Sequence, residues 1–148
     1  MSEPESNKAS VRVRIARLLV GVVLISNLSA AIPYLIKPGS YAWAFELEGN
    51  PGMAAVMALG ILFTMWQVPY VFAAVNPLKH KTSLIEAVLM QSIGLLGETW
   101  LRSRINPGYA VLRGSILRFI AFDAGGLVLL MIALGLVSNR NMKSENLE

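Results

Sequence analysis

Four apolar stretches, at about 15–36, 52–76, 83–101 and 112–138, leave little of this 148-residue chain for anything else. A helix that crosses a bilayer needs about 20 mostly apolar residues, because the hydrocarbon core is about 30 Å thick. Inside that layer each backbone amide must bond within its own segment, so stretches of this length are expected to be helices. The expected fold is all-α: a four-helix transmembrane bundle with antiparallel up-down topology over residues 11–138. A disordered polar tail is expected at 1–10 and a second polar tail at 139–148.

Charge supports this. Charged residues make up 15% of the chain, against about 25% in soluble domains. They gather in the N-terminal tail, at 77–81, at 102–113 and in the C-terminal tail. The net charge of +4 therefore reads as basic loops at membrane edges, and nucleic acid is not expected as a partner. The chain has no cysteine and one histidine, His80. Thiol redox chemistry, disulfides and iron–sulfur ligation are excluded, and neither a metal nor another cofactor is expected.

Orientation follows from Lys and Arg beside the spans. Lys8, Arg12, Arg14, Arg17, Lys79, Lys81, Arg140 and Lys143 fall on one side; Lys37, Arg102, Arg104 and Arg113, with or without Arg118, fall on the other. Both termini are expected in the cytoplasm. A cleavable leader ending near Ser29-Ala30-Ala31 is the competing reading of the first span. The two glutamates before the apolar core, and the apolar run that continues to Ile36, favour a retained helix.

Local signals place the breaks. Tyr41, Trp43 and Phe45 alternate in the first loop, as a membrane-surface anchor or a lid. Pro69 predicts a kink in the second helix, and Asn76-Pro77 predicts its end. Ser83 with Glu86 has the spacing of a capping box for the third helix. Ser26/Ala30, Ala54/Ala58 and Ala121/Gly125 are four apart, a spacing that lets helix backbones approach.

Function should reside in polar residues that are costly in lipid. These are Asn27, Gln67, Gln91, Glu98, Arg118 and Asp123. Ala87, Gln91, Gly94 and Glu98 share one face of the third helix by their spacing, and Glu98 precedes Arg102 by four residues, the spacing of an ion pair. Glu98, Arg102, Arg118 and Asp123 are expected to form an outer-half cluster, approached by Asn27, with an arginine in ion-pair reach of an acid. Such a cluster either locks helices together or forms a polar pocket that holds a ligand head or relays protons. Trp66 and Gln67, beside Pro69, form a second candidate site in the cytoplasmic half, or else a packed kink.

The stretch from Val68 through Pro69, Asn76-Pro77 and Leu78-Lys79-His80-Lys81, followed by Gln91 and Glu98, resembles the small four-helix DoxX-like and BphX-like membrane proteins over residues 52–101. The resemblance implies a four-helix integral membrane protein and brings no catalytic residue. Some relatives accompany redox or respiratory systems, a role that the lack of cysteine argues against for thiol chemistry. No phosphate-binding loop, HExxH or serine–histidine pair is present, and no nucleophile–base pair stands out. The expected function is non-enzymatic: binding of a lipophilic molecule, or service as an accessory subunit of a membrane complex. An oligomeric proton-coupled transporter using Glu98 or Asp123 is the alternative, and an enzyme acting on quinone or lipid is the least supported. Membrane lipids and a homo-oligomer or larger complex are the expected partners.

Overall fold

The computed structural model describes residues 3–145, with side chains over 10–138. It is all-helical in its long elements: α1 (Glu3–Ile36), α2 (Gly49–Val75), α3 (Lys81–Arg104) and α4 (Ala110–Glu145). Each contains a segment long and apolar enough to cross a membrane, namely Ser10–Ile36, Gly49–Val75, Lys81–Arg104 and Ala110–Ser138. Those segments are 24 to 29 residues long, or roughly 36–44 Å of helical rise, which exceeds the hydrocarbon thickness. This marks the chain as a multi-pass membrane protein.

The helices outrun the apolar stretches at both ends of the chain, into the segments expected as polar tails. Residues 3–10 continue α1 and residues 139–145 continue α4. Extending an existing helix adds a hydrogen bond for each residue fixed, without a new nucleation cost. Pro4 sits in the first turn, where its missing amide proton costs nothing. The remainder of the expected tails, residues 1–2 and 146–148, lies outside the described residues.

Helix packing forms a ring. α1 packs on α2, α2 on α3, α3 on α4, and α4 back on α1. One core cluster joins Val20, Val23, Tyr70, Leu84, Leu130 and Val137. A second gathers Tyr34, Ala42 and Val56 beneath the first loop. Small residues make the close approaches, but two of the three expected pairs are not among them. Ala54, Ala58, Ala121 and Gly125 are exposed. The seams instead use Ala16, Ala31, Ala73, Ala87 and Ala133, all at 0% exposure, and Gly60, whose added Cβ would lie 3.0 Å from Tyr34 Cβ. Spacing alone cannot distinguish the inner face of a helix from its outer face when both are apolar.

The loops hold further departures. Two 3-10 turns, Pro38–Ser40 and Ala42–Phe45, coil the first connection. Tyr41, Trp43 and Phe45 therefore do not share a face as they would in an extended strand. Tyr41 and Phe45 pack their rings 5.2 and 5.8 Å from Tyr34, while Trp43 is 62% exposed. Glu46, in the left-handed region at φ 54°, accepts the Val111 amide and so caps the start of α4. α3 starts at Lys81, ahead of the expected capping box, and His80 at its N-cap makes no side-chain cap bond. The short turn is held by Asn76, whose Oδ1 accepts the amides of Leu78 and Lys79. Pro69 lies inside a continuous α2.

Candidate functional site

A polar cavity sits in the middle of the bundle. α1 contributes Asn27, α2 contributes Gln67 and Tyr70, α3 contributes Gln91 and Glu98, and α4 contributes Asp123. Its apolar wall is mainly aromatic: Phe63, Trp66, Phe119 and Phe122. The cavity volume open to water-sized groups is about 60 Å³, several times the roughly 10–15 Å³ that one water requires.

Two hydrogen-bonded chains organise it. Tyr70 Oη donates to Gln91 Oε1 at 2.6 Å, with the Ala87 carbonyl at 3.2 Å. Gln91 Nε2 donates to Asp123 Oδ1 at 2.8 Å. This chain ties α2, α3 and α4. Asn27 Nδ2 donates to Gln67 Oε1 at 3.2 Å, and Gln67 Nε2 donates to the Phe63 carbonyl at 2.9 Å, which ties α1 to α2. Gln67 and Gln91 are 5% and 3% exposed, so each must find partners inside the protein or leave an unpaired amide.

Two glycines make room for this chemistry. A Cβ on Gly94 would collide with the Asp123 carboxylate. A Cβ on Gly126 would lie 2.7 Å from Gln91 Nε2. Both α3 and α4 therefore carry glycine where the partner's polar group crosses their backbone.

The structure brings part of the expected cluster together. Gln91, Gly94 and Glu98 do share the inward face of α3, and Asn27, Glu98 and Asp123 line one cavity. The expected ion pair is absent. Arg118 is exposed and donates to Ser115 Oγ at 2.8 Å. Arg102 lies outside the cavity lining, and its buried Nε has no hydrogen-bond partner, nor has Glu98 Oε2. Arg113 takes the bridging role at that end, donating to the Arg102 and Ile105 carbonyls at 3.0 and 2.6 Å. Carbonyls freed at the end of α3 satisfy a guanidinium without the cost of orienting a carboxylate beside it.

Trp66 and Gln67 are not a separate site; they belong to this cavity. Gly60 of α2 lies against Tyr34, near the end of α1. α2 therefore begins well beyond that end, by about nine residues or roughly 13 Å of rise. The stagger brings Gln67 level with Asn27. Tyr70, Phe63, Phe119 and Phe122 were not anticipated as site residues. Phe63, Gln67 and Tyr70 are four and three apart, a one-face pattern that would have flagged Tyr70.

Among the described residues, no group of three or more His, Asp or Glu side chains is placed to hold a metal ion. Compared with known proteins, the chain matches no family model, no curated protein and no solved structure.

Proposed function

We propose that this protein is a non-enzymatic membrane protein that binds a lipophilic small molecule, with the ligand's polar head in the mid-bundle cavity. The observation that carries this is the cavity's composition: aromatic walls around a small set of convergent polar groups, which is the usual make-up of a ligand site. A second, more open depression along the α1–α4 seam shares Ser26, Asn27 and Phe122 with the cavity, and Gly125 lines it with free space above its Cα. That seam offers a route from surrounding lipid.

The proposal includes an up-down antiparallel bundle with both termini cytoplasmic. Contacts support the direction of the helices: Arg17 meets Ala74, Asn27 meets Gln67, and Tyr34 meets Gly60, rising on α1 as they fall on α2. Gln91 with Asp123, and Arg102 with Arg113, run likewise on α3 and α4. The basic residues beside the spans support the orientation. Membership of a DoxX-like group and assembly into a homo-oligomer or larger complex accord with it; exposed Ala54 and Ala58 leave a smooth strip on α2 that a further helix can approach.

Native mass spectrometry of the chain in membrane nanodiscs tests the binding. The wild type should carry a small non-protein mass, and Ala30→Phe, which fills the cavity wall, should lose it. Bare spectra for both would sink the proposal. A second reading, proton-coupled transport, rests on the Tyr70–Gln91–Asp123 chain beside Glu98. Unchanged pH-gradient flux in vesicles carrying Glu98→Gln with Asp123→Asn would remove it.

A further inference from the structure

We infer that the ligand head is a cation, so that the cavity takes a lipophilic amine or ammonium compound; this deepens the binding reading above and rests on it. The charge of the lining is one-sided. It holds two carboxylic side chains, Glu98 and Asp123, and no lysine, arginine or histidine. The nearest bases do not neutralise them: Arg118 turns to Ser115, and Arg102 makes no bond through Nε although it lies one turn from Glu98.

Part of the donor capacity is spent inside the protein. Each amide nitrogen commits one of its two hydrogens, Asn27 to Gln67, Gln67 to the Phe63 carbonyl and Gln91 to Asp123. The Tyr70 hydroxyl is engaged on Gln91. To this the carboxylic side chains add open acceptor capacity. Glu98 Oε2 is buried without a partner, and Asp123 receives the Gln91 amide through Oδ1, leaving Oδ2 over Gly94. An anionic head would face two acids and no cation. A neutral hydroxyl could satisfy one oxygen but would leave the charge balance unchanged. An ammonium group supplies donors to both carboxyls and a charge that stabilises their ionised form away from water. The aromatic side chains in the lining, Phe63, Trp66, Phe119 and Phe122, accord with this, because aromatic rings attract cations away from water. The alkyl part of such a ligand can lie along the α1–α4 seam, among Val23, Ala121 and Leu129.

Equilibrium binding to the full chain in phosphatidylcholine nanodiscs tests this with three radiolabelled probes of one chain length: decylamine, decanol and decanoate. Decylamine is protonated near neutral pH, as a lysine side chain is. Empty nanodiscs give the lipid background. The expected result is saturable decylamine binding about tenfold or more tighter than that of decanol, with no saturable decanoate binding. Glu98→Gln with Asp123→Asn should abolish that preference and leave decanol binding in place. Decanol or decanoate binding as tightly as decylamine to the wild type overturns the cationic head while the lipophilic-ligand reading stands. Saturation by none of the three overturns both. The order of the probes on the wild type decides the matter even where the double variant does not fold, and Glu98→Gln alone provides a milder check on the acid's part.

Discussion

Replacing Gln91 by leucine tests the centre of the bundle most directly. The side chain is 3% exposed and makes two bonds, accepting from Tyr70 at 2.6 Å and donating to Asp123 at 2.8 Å. Leucine keeps much of the volume and removes both. Tyr70 keeps the Ala87 carbonyl as an alternative acceptor at 3.2 Å, so its loss should be close to the average membrane hydrogen bond, about 0.6 kcal/mol. Asp123 loses the donor to Oδ1. A bond to a charged group contributes about 1.5–3 kcal/mol, so the whole change should destabilise the bundle by about 2–4 kcal/mol. Reversible unfolding in mixed micelles with increasing dodecyl sulfate measures this. A double-mutant cycle with Asp123→Asn then isolates the Gln91–Asp123 coupling, expected at about 1–2 kcal/mol. A Gln91→Leu effect below about 0.5 kcal/mol, the size typical of surface substitutions, would refute the claim that this chain of bonds holds α2, α3 and α4 together.

Further expectations follow from the same geometry. Gly94→Ala should displace the Asp123 carboxylate and destabilise by about 1–3 kcal/mol, the usual cost of overpacking, read in the same unfolding assay. Gly97→Ala, three residues on, meets nothing within 4 Å; it should be neutral or stabilising by about 0.4–1 kcal/mol. Arg118→Ala should change stability by less than about 1 kcal/mol, since the side chain is exposed and bonded only to Ser115; a loss of about 3–5 kcal/mol would restore the buried ion pair that the sequence led us to expect. Single cysteines placed at Trp43 and at Lys79 in this cysteine-free chain should be labelled from opposite sides of the membrane, position 79 from the cytoplasm; labelling of both from one side would contradict the up-down topology.

The sequence by itself determined that the long elements are helices, that each is long enough to span a membrane, and which polar residues need a partner. These follow from local or additive quantities: runs of apolar residues, charge placement, and the cost of an unpaired polar group in lipid. The one-face spacing of Gln91, Gly94 and Glu98 also survived, because it depends only on helical periodicity. Tertiary structure decided which partner each polar group takes. Glu98 and Arg102 have ion-pair spacing, yet Glu98 Oε2 and Arg102 Nε are each left without a partner, and Arg118 turns to Ser115. Trp66 and Gln67 joined Asn27 because Tyr34 meets Gly60, a stagger set by how the 3-10 loop packs against the start of α2. No local pattern encodes the relative heights of two helices. When nearly every face of a helix is apolar, the hydrophobic pattern cannot select the inner one either, so the close contact of Gly94 with Asp123 and of Gly126 with Gln91 became visible only once α3 and α4 were packed together.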